Sequence, residues 1–455
     1  MAKIAAISHT AAQDVVAFRN ARPVSAAHFL AEVEHVASRL PARSHLVNFC
    51  MDRYRFAVGL LAALVRGQVS LLPPTQTPEM LGQLRRDYDG LYALTDTPQE
   101  PAVIEQISYP LLAQGTTLPA SSLRFAVPAF SAEQVAVIAF TSGSTGAPTP
   151  HPKTWGALAQ GASAEAFSFD LQLGSRATLL GTVPAQHMYG LESTVLMALR
   201  GGLALHAGRP FYPADVAAAL AEIPGQRVLV TTPIHLRALL TEGIRLPSLR
   251  LIVCATAPLA TDMAVQAEQR FGAPLHEVYG FTEAGMVATR RTVQGPQWHC
   301  LRDVRLRHPA DVMTVAGGHV EKEVPFTDVI EPRGDDEFIL HGRNADLVNI
   351  AGKRTSLEYL THQLNSIEGV RDGVFFMPEE SGEGVTRLTA LVVAPDFTRE
   401  ALLGALRERI DAVFLPRPLY FVESLPRNAA GKLPRAALLQ HAQHCAARTR
   451  REGRS

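Results

Sequence analysis

The segment FTSGSTGAPTPHPKTW, Phe140 to Trp155, constrains this chain more than any other. Glu133 to Phe140, just ahead of it, is a short apolar run rich in β-formers, and Thr154 to Phe167, behind it, is rich in helix formers. A loop set between a buried strand and a helix can wrap an anion with its own amides. Gly143 and Gly146 remove side chains, so the backbone can close on phosphate oxygens. Thr141, Ser142, Ser144 and Thr145 bring hydroxyls into the same small volume. No Gly-Lys-Ser/Thr ends the loop, so it is not a Walker motif. The competing reading is a Ser/Gly linker, and the apolar strand butted against the loop argues against it.

Composition narrows the class. At 455 residues the chain can hold two or more domains with large cores. Hydrophobic residues make up 47% and charged ones 19%, a globular balance. Lys+Arg and Asp+Glu are both 43, so no net field draws in nucleic acid or an anionic membrane. Cys50, Cys254, Cys300 and Cys445 are scattered without metal-ligand spacing and suit a reducing compartment. The N-terminus has no signal-type apolar core, and the longest apolar run, Phe56 to Val65, is too short to span a bilayer. A cytoplasmic enzyme is the expectation. The basic end, Arg448 to Arg454, reads as a frayed, solvated tail.

Strand-like and helical segments alternate through the first three quarters. His45 to Phe49, Val69 to Leu72, Arg227 to Thr231, Leu249 to Cys254 and His276 to Tyr279 read as strands, and Arg55 to Val65 and Thr261 to Phe271 as helices. This predicts an α/β fold: a large multi-subdomain N-terminal domain with layered sheets and helices, working at loops that leave strand ends. Around Gly342 the pattern shifts to a small α+β domain: strands near Asp346 to Ile350, Val374 to Met377 and Leu388 to Val393, helices from Leu357 and Arg399, and a final short helix. The expected division is 1–342 for an ATP- and acid-binding domain and 343–455 for a mobile lid.

Three further clusters carry chemistry. Val278 to Gly285, VYGFTEAG, offers Thr282 and Glu283 side by side at a strand end, a hydroxyl for phosphate and a hard oxygen for magnesium. Alone, an exposed-turn glutamate explains it as well. In Phe326 to Arg354, Asp328 could accept both ribose hydroxyls and Arg343 hold ribose or phosphate oxygens; a surface ion pair is the plainer reading. In Leu425 to Leu438, LPRNAAGKLPRAAL, Lys432 follows a glycine in a Pro/Gly-bounded loop and could swing into a site built elsewhere. A surface lysine is the alternative.

In this order and spacing the clusters resemble the adenylate-forming superfamily of acyl- and aryl-CoA synthetases, adenylation domains and luciferases. Phe140 to Pro148 matches its phosphate loop, and Tyr279 to Glu283 its YGxTE motif. Thr327-Asp328, Gly342-Arg343 and Gly352 match its TGD…GRxDD…G segment, Pro426 to Lys432 its PRxxxGK, and His187 to Gly190 its HxxG. The chain also looks similar to the short stand-alone ligases of aryl-polyene and xanthomonadin-type pigment pathways.

The resemblance implies a two-step ligase using ATP and Mg2+, with CoA or the phosphopantetheine of an acyl carrier protein as co-substrate. It implies that Lys432, Thr282 and Glu283 are catalytic, with Glu283 on the metal. Thr141, Ser142, Gly143, Ser144, Thr145 and Gly146 would hold phosphates, Asp328 and Arg343 the ribose, and Tyr279, Gly280, Ala255, Thr256 and Ala257 the remaining nucleotide. His187, Tyr189, Gly190 and Cys254 would line the acid site. The sequence also departs from the pattern. Thr149 stands where the phosphate loop has lysine, so Lys153 is the candidate replacement, a helix-start lysine being the alternative. No glycine separates Thr327 from Asp328, and Ala345 replaces the usual hinge carboxylate beside Asp346.

The expected substrate is a small aromatic acid such as a hydroxybenzoate. A fatty acid, a non-thiol acceptor and a non-catalytic nucleotide binder are the alternatives. Retention of Lys432, Glu283 and Arg343 together argues against the last.

Overall fold

The computed structural model describes residues 2–452, apart from 75, 99–101, 112–124, 143–147, 172–173, 310–311, 344–346, 351–352, 379–387 and 429–430. The fold is α/β, a large domain of layered sheets and helices followed by a small α+β domain. Among the described residues the strands of the large domain form a six-stranded and an eleven-stranded sheet, with smaller sheets beside them.

The eleven-stranded sheet builds the site. Its strands Val15–Arg19, Ala204–His206, Ala177–Gly181, Gln226–Thr231, Leu251–Cys254 and Leu275–Phe281 run parallel. Leu251–Cys254 and Ala177–Gly181 are fully buried, as strands covered on both faces must be. The chain then turns back sharply into Gly285–Arg290, and antiparallel strands Gln297–Cys300, Glu337–Arg343 and Asp328–Pro332 complete that edge. Loops from the parallel strand ends and the tight turn at residues 282–284 therefore emerge together, the usual place for a ligand in such sheets.

The six-stranded sheet corrects one expectation. The Val135–Ser142 strand does not lead through its loop into a helix. It pairs antiparallel with an edge strand, Pro148–Thr154, and only then does the Trp155–Ser168 helix begin, capped by Thr154 accepting from the Ala157 amide. The reason is legible in PTPHPKT. Prolines at 148, 150 and 152 fall on alternate positions, so their missing N–H groups all face away from the partner strand, which only an edge strand tolerates. Thr149, His151 and Lys153 are left on one face, opposite Thr141, Ala139 and Val137. The strands on either side of the hydroxyl-rich segment therefore pair with each other, and the helix starts only after the second of them.

The small domain has its own apolar cores. One joins Leu357, Leu360 and Leu364 to Phe375, Ala390 and Leu402; another packs Leu425 and Leu438 on Val374 and Leu391. Its sheet is Asp372–Phe376, Thr389–Val393 and Leu419–Phe421. The last helix runs Arg435–Glu452, so it is neither short nor a frayed tail as far as Glu452. No helix among the described residues is long and apolar enough to cross a membrane.

Candidate active site

The hairpin face carrying Thr141 and His151 meets the turn carrying Thr282 and Glu283. His151 Nε2 lies 2.9 Å from Thr141 Oγ1 and 3.8 Å from Glu283 Oε1. Burial lowers the His151 pKa, with Lys153 adding to it and Glu283 opposing, so the ring is neutral near pH 7. Lys153 is 8% exposed, and its ammonium donates to the main-chain carbonyl of Glu283 at 2.6 Å. Burial lowers its pKa against the pull of Glu192, Glu283 and Glu321. Of the expected phosphate loop, Gly143, Ser144, Thr145 and Gly146 lie outside the described residues, as does the Ser142 side chain.

The second and third clusters join through Tyr279. Its hydroxyl donates to Asp328 Oδ2 at 2.6 Å, and its ring stacks on Phe326 at 6.2 Å between centroids. Gly280 sits at a bulge where a Cβ would meet the Gly285 carbonyl oxygen at 2.5 Å, so the tight return of the chain requires glycine there. Asp328 and Arg343 are direct cross-strand partners; the Arg343 side chain lies outside the described residues.

The turn Cys254–Pro258 leaves the neighbouring strand. Buried Glu277 braces it, accepting from the Leu259 amide at 3.2 Å while paired with Arg290 and Thr292. Thr256 holds φ +85, a costly conformation for a residue with a Cβ, and its Oγ1 is buried without a hydrogen-bond partner among the described residues. Ala255 and Ala257 flank it.

Three expected acid-site residues have other employment. Cys254 is fully buried in an apolar core, with its thiol pKa pushed well up by burial. Tyr189 is 6% exposed, and its hydroxyl bonds the carbonyls of Thr231 at 3.0 Å and Val253 at 3.1 Å. Gly190 is buried where a Cβ would sit 2.0 Å from the Pro184 carbonyl oxygen. These three residues are buried and bonded or packed within the large domain itself.

His187 remains. Its Nδ1 accepts from the Tyr189 amide at 3.3 Å, which leaves the ring proton on Nε2. Burial and the nearby Lys432 ammonium push its pKa down to about 3. Lys432 belongs to the fourth cluster, whose loop reaches the large domain. Beside it, Gly431 has φ +76 and abuts Ile234 and Thr232 of the large domain.

Sequence reasoning missed His151, Glu192 and Glu165. Glu192 is buried near Lys153 with its pKa pushed up to about 7, chiefly by burial. Glu165 accepts from Ser193 Oγ at 2.6 Å and is pushed up to about 8 by burial. Only His151 had a signal, the proline alternation.

Among the described residues no group of three or more His, Cys, Asp and Glu could hold a metal ion. A lone, partly exposed Glu283 carboxylate is compatible with magnesium, which takes one or two carboxylates and fills its shell with phosphate and water.

Residues 8–317 match the AMP-binding enzyme family. A 4-coumarate–CoA ligase of Halorhodospira halophila is 30% identical over 308 residues, covering 64% of this chain and 73% of that protein. Chondramide synthase of Chondromyces crocatus is 28% identical over 458 residues, with 86% of this chain covered and 11% of the synthase. The O-succinylbenzoate coenzyme A synthetase of Bacillus subtilis, solved with AMP, shares the fold at a TM-score of 0.75 and 18% identity, over 93% of this chain and 95% of that one. The chain belongs to the AMP-binding enzyme family, within the adenylate-forming superfamily of AMP-forming acid–thiol ligases.

Proposed function

We propose that the protein activates a small aromatic carboxylic acid with ATP and passes the acyl group to a pantetheine thiol, on an acyl carrier protein or on CoA. The observation that carries this reading is the seat of the Lys432 loop, whose Gly431 abuts Thr232 and Ile234 at an end of the same sheet whose other strands present Thr282, Glu283 and Asp328. In the first step a carboxylate oxygen attacks the α-phosphorus and pyrophosphate leaves. Lys432 neutralises charge between the two anions, Thr282 donates to the α-phosphate, and Asp328 with Arg343 grips the ribose. His187, neutral throughout, offers Nε2–H without adding a second cation. Bound magnesium would supply charge neutralisation at Glu283. In the second step the thiol sulfur attacks the acyl carbonyl and AMP leaves.

An aromatic substrate fits several features. At Cys254 to Thr256, where the strand runs into the turn expected to flank the nucleotide, the side chains are small enough to admit a ring beside it, and the buried Thr256 hydroxyl has a hydrogen bond to give. The curated relative and solved structure described above are named for coumarate and succinylbenzoate, both aromatic acids. Resemblance to the ligases of aryl-polyene pathways points the same way. We place the lobe division at 342/343 and the enzyme in the cytoplasm.

The test is pyrophosphate release with hydroxybenzoates, cinnamates and C8 to C16 fatty acids, each with CoA and with a holo carrier protein. Preference for an aromatic acid and thioester formation are expected. Preference for long aliphatic acids rejects the substrate class, and failure of both thiols rejects the second step.

A further inference from the structure

A path of hydrogen bonds, joined through the Arg371–Asp372 peptide link, runs from the large domain to the residue before Lys432. It begins at Arg237, on the Pro233–Thr241 helix. Arg237 Nη1 donates to the main-chain carbonyl of Arg371 at 2.5 Å and lies 3.5 Å from Asn365 Oδ1, both on the small domain. The residue after Arg371 is Asp372. Its two oxygens accept from Arg427 Nε at 2.8 Å and Nη2 at 2.7 Å, a bidentate pair with both side chains about one-fifth exposed. The other terminal nitrogen of Arg427 donates to the Gly431 carbonyl at 2.8 Å. Around it the turn closes on itself. Lys432 N–H donates to Asn428 Oδ1 at 2.9 Å, and Asn428 N–H to the Lys432 carbonyl at 2.8 Å.

Arg427, in the motif that carries Lys432, is therefore an internal strut of the small domain. Arg237 is different, because its partners lie across the interface. Burial lowers its pKa, with Asp372 opposing and Arg427 adding to the effect, so this guanidinium is desolvated and held among fixed charges. Desolvation makes the bond to the Arg371 carbonyl costly to lose while the domains stay packed. A bond to a backbone carbonyl also forms only in one relative placement of the two domains.

We propose that Arg237 is a positioning residue that latches the small domain where the Lys432 loop seats against Thr232 and Ile234. Resting on the ligase reading, the proposal gives Arg237 control of acyl-adenylate formation. The helix that carries it begins at the residues Gly431 packs against, so one element sets both the latch and the seat of the lysine loop.

The test compares Arg237→Ala, Arg237→Lys and wild type in the separated half-reactions, with hydrogen exchange of the 425–433 peptide as a readout independent of activity. Arg237→Ala should slow acyl-AMP formation by about tenfold or more, with kcat falling more than KM for ATP rises. Thioester formation from preformed acyl-AMP should stay within about twofold of wild type or rise. Exchange at Asn428 and Lys432 should quicken. Arg237→Lys keeps a donor for the carbonyl and should restore most of the first half-reaction. Equal loss in both half-reactions, or unchanged exchange in Arg237→Ala, overturns the latch. Quickened exchange together with a wild type that makes no acyl-AMP from any acid would uphold the latch and remove the ligase reading.

Discussion

Lys153 Nζ donates to the main-chain carbonyl of Glu283 at 2.6 Å, so this lysine reaches the Thr282–Glu283 turn through its backbone. A cation placed this way stiffens the turn that presents the hydroxyl and the carboxylate. It also stands near the buried Glu192. Lys153→Met should cost about 1–3 kcal/mol of stability, because the Glu283 carbonyl loses its charged donor. It should also raise KM for MgATP. A thermal melt and steady-state kinetics check both effects. If Lys153 simply replaced a phosphate-loop lysine, adding Thr149→Lys would restore KM; restoration is not expected.

Buried carboxyls set a pH dependence of stability. Glu165 titrates at about 8 in the folded protein against 4.5 for an ordinary glutamate, and Glu192 at about 7, so the folded state holds extra protons in between. That contribution is complete below the unfolded value of 4.5 and is lost progressively as pH rises from there up through the folded values of about 7 and 8. Glu165→Gln mimics the protonated form and keeps an acceptor for Ser193. It should melt higher than wild type at pH 8, by about 2 kcal/mol, and show little difference at pH 5. Buried histidines oppose the trend below pH 6.5 but are common to both proteins. A gap as wide at pH 5 as at pH 8 would refute the assignment.

Tyr279→Phe keeps the stacked ring and deletes the bond to Asp328 at 2.6 Å. A carboxylate placed less firmly for the ribose should raise KM for ATP roughly 5- to 20-fold, with kcat within about twofold. A fall in kcat at unchanged KM would assign the hydroxyl to the chemical step.

Gly190→Ala would push a methyl to 2.0 Å from the Pro184 carbonyl oxygen. Backbone cannot yield as a side-chain tip does, so about 3 kcal/mol or more of stability should be lost. Normal folding with altered acid preference would return Gly190 to the substrate site.

Lys432→Ala removes the ammonium that adds to burial in lowering the His187 pKa. It should reduce acyl-AMP formation at least a hundredfold and leave thioester formation from preformed acyl-AMP within about twofold. Equal loss of both steps would reject its role.

The ordered motifs determined the family and marked Thr282, Glu283, Asp328 and Lys432 as the proposed site residues, because phosphate, metal and ribose each demand particular side-chain chemistry at a loop. Buried parallel strands such as Gln226–Thr231 were legible for a similar reason, since a strand covered on both faces must be apolar along its length. What the sequence left open was which side chains meet. Cys254, Tyr189 and Gly190 sit in or beside site motifs yet face the core, because period-two alternation and a close backbone approach turn them inward. The hairpin strand Pro148–Thr154 was hidden by prolines that local propensity reads as loop and an edge position accepts. The pairings of Lys153 with Glu283 and of Arg237 with Arg371 span more than a hundred residues each. No local pattern encodes such contacts; packing of the sheets and of the two domains decides them.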